Sequence, residues 1–103
     1  MSEMPPGAAI ERIFVVEADY GPDVAQRRPP VRVEHLERSL RLRREGVIVE
    51  TGAFTDLSGS LVMIRAEDER AVRDVIESDV YWSTGVWVRY RVREFGLLIE
   101  SAG

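Results

Sequence analysis

The sequence predicts an α+β domain of ferredoxin-like type, β-α-β-β-α-β, with an antiparallel sheet carrying two helices on one face. Stretches rich in β-branched and aromatic residues alternate with two stretches of helical period in that order. The two middle strands are separated only by the turn-like "TDLSG" at 55–59. No repeat or low-complexity tract competes, and 103 residues hold one modest core, so a single domain over 1–103 is expected.

Residues 1–9, "MSEMPPGAA", and residues 100–103 read as loose termini. "IERIFVVEA" (10–18) reads as a strand and "DYGPDVAQRRPP" (19–30) as a long loop. A helix is expected from Pro29 or Pro30 to Glu45: proline suits a first turn, Val33, Leu36 and Leu40 mark an apolar stripe, and Gly46 provides the stop. "VIVETGAF" (47–54) follows as a strand, and "SLVMIRA" (60–66) returns from the turn.

"EDERAVRDVIES" (67–78) opens with acidic residues suited to a helix N-terminus and places Ala71, Val72, Val75 and Ile76 on one face, which makes it the second helix. "DVYWSTG" (79–85) is a turn or short helix. In "VWVRYRVREF" (86–95), Val86, Val88, Tyr90 and Val92 alternate with Trp87, Arg89, Arg91 and Arg93, a strand with one wet face. "IFVV", "VIV" and "LVMI" are apolar at consecutive positions, so the sheet face without helices needs cover, and a homodimer packed sheet to sheet would supply it.

Composition narrows the chemistry. All fourteen basic residues are Arg, so Schiff-base lysine chemistry is unavailable. There is no Cys and one His, which argues against a transition-metal site; no metal and no organic cofactor is expected. A formal charge of −4 speaks against nucleic acid as a partner. The N-terminus lacks a basic segment followed by an apolar one, and no apolar run approaches the ~20 residues of a membrane span. A cytoplasmic protein without a membrane partner is expected.

His35 is the one side chain suited to proton chemistry near neutral pH. If its helix descends from His35 to Gly46 and the next strand climbs back, Asp56 returns to the same end of the domain. That end also collects Asp19 and Tyr20, Gly59 and Ser60, and Asp79, Tyr81 and Trp82. The helix N-terminus points there too, favouring an anion. Arg32, three residues before His35, shares its helix face and suits an anionic substrate beside the imidazole. Each residue also has a structural reading: His35 as a surface or packed side chain, Asp56 as a turn former, Ser60 as a strand-start hydroxyl, Asp79 as a helix cap, and Tyr81 and Trp82 as core or interface aromatics.

The layout resembles the YCII-related (YciI-like) domain family. The resemblance rests on R-x-x-H at Arg32 and His35, on Gly52, Ala53 and Asp56 at a strand end, and on Gly59 and Ser60 at a strand start. It extends to Asp79, Val80, Tyr81, Trp82 and Gly85, with valine where that family usually has proline, and spans roughly residues 10–97. It implies a dimeric α+β barrel with a pocket in each subunit, His35 and Asp56 as the acid/base pair, and Arg32, Ser60, Asp79 and Tyr81 around the substrate. The expected activity is cofactor-free elimination or isomerisation of a small polar or anionic organic molecule. The rival expectation is a non-catalytic dimeric module that binds a small ligand or supports an assembly.

Overall fold

The computed structural model describes residues 4–101. Its elements are β1 (Ala8–Tyr20), α1 (Val24–Arg44), β2 (Ile48–Ala53), β3 (Gly59–Ile64), α2 (Glu69–Glu77), α3 (Val80–Ser83) and β4 (Trp87–Glu100). The sheet order is β2-β3-β1-β4 and every neighbouring pair is antiparallel, as the ferredoxin-like pattern requires.

Register separates the two faces. Phe14 pairs with Ile64, Val16 with Val62 and Ala18 with Ser60, and these side chains point toward the helices. Leu42 of α1, Val72 and Ile76 of α2, and Tyr81 of α3 close the core over them. On the opposite face β1 presents Val15, Glu17 and Asp19 beside Met63, Leu61 and Gly59 of β3. Arg91 of β4 pairs with Glu17 at 2.9 Å and Arg89 with Asp19 at 2.8 Å. This face is therefore partly apolar and partly ion-paired, less uniformly apolar than the consecutive runs suggest.

Three departures from the sequence reading have physical causes. First, α1 begins at Val24, so Pro29 and Pro30 lie inside it and the expected loop over 19–30 is mostly helix. Proline is tolerated at the cost of the N–H bonds that would reach the carbonyls of Ala25 and Gln26.

Second, the apolar stripe faces outward: Val33 is 68 % exposed, Leu36 45 % and Leu40 55 %. The face of α1 turned to the sheet buries His35, Ser39 and Leu42. Third, a register shift at Asp19/Tyr20 pairs Tyr20 with Trp87 and Asp19 with Arg89, leaving Val88 as the extra residue. That bulge puts Trp87 into the core at 2 % exposure and leaves Val88 at 47 %, opposite to strict alternation.

Strand ends also run longer than expected. β1 starts at Ala8 and β4 continues to Glu100, and their outer halves pair only with each other, from Ala8 with Glu100 to Arg12 with Gly96.

Candidate active site

His35 lies eleven residues into α1, in mid-helix. The macrodipole acts within about the first turn, so the helix N-terminus does not reach the imidazole. Its neighbours come instead from α3 and the sheet. Asp79 follows the end of α2 and caps α3, and its Oδ1 accepts the Tyr81 backbone N–H at 2.8 Å. The same oxygen accepts from His35 Nδ1 at 2.8 Å, while Oδ2 accepts from Arg38 Nη1 at 3.0 Å. Asp79 is buried at 2 % exposure and His35 at 8 %. A buried carboxylate with three donors, one of them a guanidinium, is a satisfied group that holds the ring in one orientation.

Two aromatic rings fix the imidazole as well. Tyr81 stacks on the imidazole with centroids 3.6 Å apart and planes within 9°, and Trp87 meets it edge-on at 5.4 Å. Because Nδ1–H is committed to a carboxylate, Nε2 carries the free lone pair, and it has no hydrogen-bond partner among the described residues.

His35 lines a cavity of about 230 Å³ between α1 and the sheet. Arg28, Arg32, Leu36 and Ser39 of α1 form one wall, and Thr51, Gly52 and Ala53 of β2 face them. Tyr20, Ser60 and Tyr81 complete the lining. The charged side chains there are guanidiniums, with no carboxylate in the lining, so the cavity suits an anion. Burial pushes the Tyr81 phenol up from its ordinary value, and the Arg28 hydrogen bond opposes that only in part, so Tyr81 remains a protonated donor.

The expected site residues divide accordingly. Arg32, His35, Ser60 and Tyr81 line the cavity together, and Asp79 stands behind the imidazole. The pairing of His35 with Asp56 is corrected: the carboxylate on His35 belongs to Asp79. β2 reaches the cavity with Thr51 to Ala53, and Asp56 lies three residues beyond, exposed, its Oδ1 accepting the Ser58 N–H at 2.9 Å. Hydrogen bonding from the Ser58 side chain and backbone holds the Asp56 carboxyl below its usual range.

Arg28, Arg38, Ser39 and Thr51 escaped the sequence reading. A signal for two of them was present, since 28, 32, 35 and 39 are spaced as one helix face. The prolines mask it, because Pro29 and Pro30 mark a helix start that would leave residue 28 outside the helix. Among the described residues no group of three or more His, Cys, Asp or Glu converges as a metal site, and no helix is long and apolar enough to cross a membrane.

The sequence pattern of the YCII-related domain matches residues 13–96, from the middle of β1 to the middle of β4. The chain belongs to the YCII-related domain family. This YCII-related domain resembles 5-chloro-2-hydroxyhydroquinone dehydrochlorinase from Burkholderia phenoliruptrix AC1100, a structure solved in complex with 2,5-dihydroxybenzoquinone. The TM-score is 0.70 at 21 % identity, covering 81 % of this chain and 92 % of the other, which establishes a common fold. No curated protein matches this chain in sequence.

Proposed function

We propose that the protein is a cofactor-free enzyme in which His35 moves a proton on a small, planar, anionic organic molecule, in an elimination or an isomerisation. The observation that carries this reading is the His35 Nδ1–Asp79 Oδ1 hydrogen bond of 2.8 Å, which leaves Nε2 as the free base on a cavity lined by Arg28 and Arg32. In an elimination, Nε2 takes a proton from carbon or oxygen of the substrate and the leaving group departs with its bonding electron pair as an anion. In an isomerisation the same nitrogen returns the proton to a second carbon. Asp79 keeps the ring in the required tautomer, and a positioned acid/base group of this kind is worth about 10²- to 10⁴-fold in rate.

The similarity to a dehydrochlorinase that binds a hydroxyquinone supports this substrate class, and hydroxylated and halogenated aromatic or quinonoid acids are the compounds to try first. Asp56, expected as the acid/base partner, is proposed instead as a turn residue. We also propose that two copies pack by the open sheet face, where Val15, Leu61 and Met63 are partly covered.

The deciding experiment compares wild type, His35→Gln and Asp79→Asn on a panel of hydroxylated chloroaromatics, hydroxyquinones and lactones, with products read by mass spectrometry. Turnover is expected to fall at least 100-fold in His35→Gln at matched folding, with a smaller loss in Asp79→Asn. Turnover undiminished in His35→Gln removes the base and the reading with it.

A further inference from the structure

The hydroxyls of the cavity form a chain whose direction follows from proton counting. Indole nitrogen only donates, so Trp87 Nε1–H donates to Ser60 Oγ at 3.1 Å. Ser60 Oγ and the Tyr20 hydroxyl share a second bond, also 3.1 Å. Three donor hydrogens therefore serve two bonds, and one is left over. Ser60 Oγ is the donor of that second bond, which commits its hydrogen, and Tyr20 is half-buried and opens on the cavity. The chain consequently runs from Trp87 through Ser60 to Tyr20, and the surplus proton belongs to the Tyr20 hydroxyl.

The surroundings hold that donor in place. The Arg28 guanidinium lies 5.4 Å from the Tyr20 ring centroid, a cation–π contact that fixes the ring against α1. Arg28 Nε also donates to the Tyr81 hydroxyl at 3.3 Å, so the Tyr81 proton is likewise left over. Two phenols with uncommitted protons, backed by a guanidinium, meet at one end of the cavity that His35 lines.

We propose that Tyr20 is a substrate-binding residue whose hydroxyl, oriented by Trp87 and Ser60, donates to an oxyanion of the ligand, with Tyr81 as the second donor. The ligand class is a planar organic oxyanion such as an enolate, a phenolate or a hydroxyquinone anion. In the reaction, charge that develops on the substrate oxygen as His35 removes a proton is stabilised by fixed donors. The inference rests on the cavity being the substrate site, and binding measurements separate its failure from that of the proton-transfer reading.

The test is a titration of wild type, Tyr20→Phe, Ser60→Ala, Trp87→Phe and His35→Gln with 2,5-dihydroxybenzoquinone, with its dimethyl ether, which bears no anion, and with benzoate. Calorimetry and the visible absorption of the quinone anion report binding. Tyr20→Phe is expected to weaken the hydroxyquinone anion about 10- to 100-fold, the range of one hydrogen bond to a charged acceptor, and to leave the ether unchanged. Ser60→Ala and Trp87→Phe keep the Tyr20 hydroxyl and lose its orientation, so each is expected to weaken the anion by about 3-fold, within the range of one neutral hydrogen bond.

Equal affinity of Tyr20→Phe and wild type for the anion overturns the assignment, as does an equal loss for the ether. Failure of wild type to bind either anion overturns the oxyanion site itself. Tyr20-dependent binding that survives in His35→Gln without any turnover in wild type supports the site and removes only the catalytic reading.

Discussion

At the scale of single residues, the site is built on Asp79. Its carboxylate caps α3, orients His35 and holds Arg38 in one stroke, so its removal has structural as well as chemical consequences. Asp79→Ala leaves the Arg38 guanidinium, 19 % exposed in its side chain, without its charge partner, and is expected to cost about 3 kcal/mol in urea unfolding. Asp79→Asn keeps an acceptor and the shape and should cost less than half of that. Asp56→Ala removes an exposed turn bond and is expected to change turnover less than 2-fold, a result that a role beside His35 does not permit. The residue types were legible in the sequence, but their pairing was not: three aspartates, Asp19, Asp56 and Asp79, fall at the right end of the domain, and only side-chain direction separates them.

Tyr81 supplies a pH-dependent prediction. Burial raises its phenol above the ordinary value of 10.0, so the unfolded chain ionises first as pH rises. The stability that Tyr81 contributes in this way is complete below pH 10.0 and is lost as pH climbs through the folded value. Thermal unfolding between pH 9 and 11 is expected to show a steeper alkaline decline for wild type than for Tyr81→Phe. Tyr90, also raised by burial and by its bond to Glu77, accounts for part of the remaining slope.

At the scale of elements, close approach of β1 and β3 makes Gly59 indispensable. A Cβ there would lie 2.3 Å from the Ala18 carbonyl oxygen, a backbone atom that cannot step aside. Gly59→Ala is expected to lower stability by about 2–3 kcal/mol, or roughly 10 °C in Tm, measured by circular dichroism. The strands were legible from their β-branched and aromatic runs, and α2 from the clean period of Ala71, Val72, Val75 and Ile76. α1 was half legible: Gly46 marked its end, but Pro29 and Pro30 pointed to a start one and a half turns too late. Its buried stripe, moreover, carries His35 and Ser39 where hydrophobic periodicity points to Val33, Leu36 and Leu40. Periodicity finds the apolar face of a helix, and here the inward face carries the candidate site instead.

At the scale of the whole molecule, extents of 49 × 27 × 26 Å reflect the β1–β4 ribbon that runs past β3. Two strands alone are marginal in water, and this pair exposes Ile10 by 53 % and Leu98 by 67 %. In sedimentation at micromolar concentration the wild-type chain is expected to be dimeric, and Met63→Glu, which places a charge at the centre of the open face, is expected to be monomeric. A wild-type monomer contradicts the proposed packing.

The order of elements, the antiparallel sheet with its helices on one side and the family were determined by the sequence, because they follow from local period, turn chemistry and short motifs in order. Which carboxylate holds His35, which face of α1 looks inward and which way Trp87 points were decided only by the tertiary structure. A bulge of one residue reverses a strand's faces, and an aspartate 44 positions away along the chain reaches the imidazole only once α3 has packed against α1.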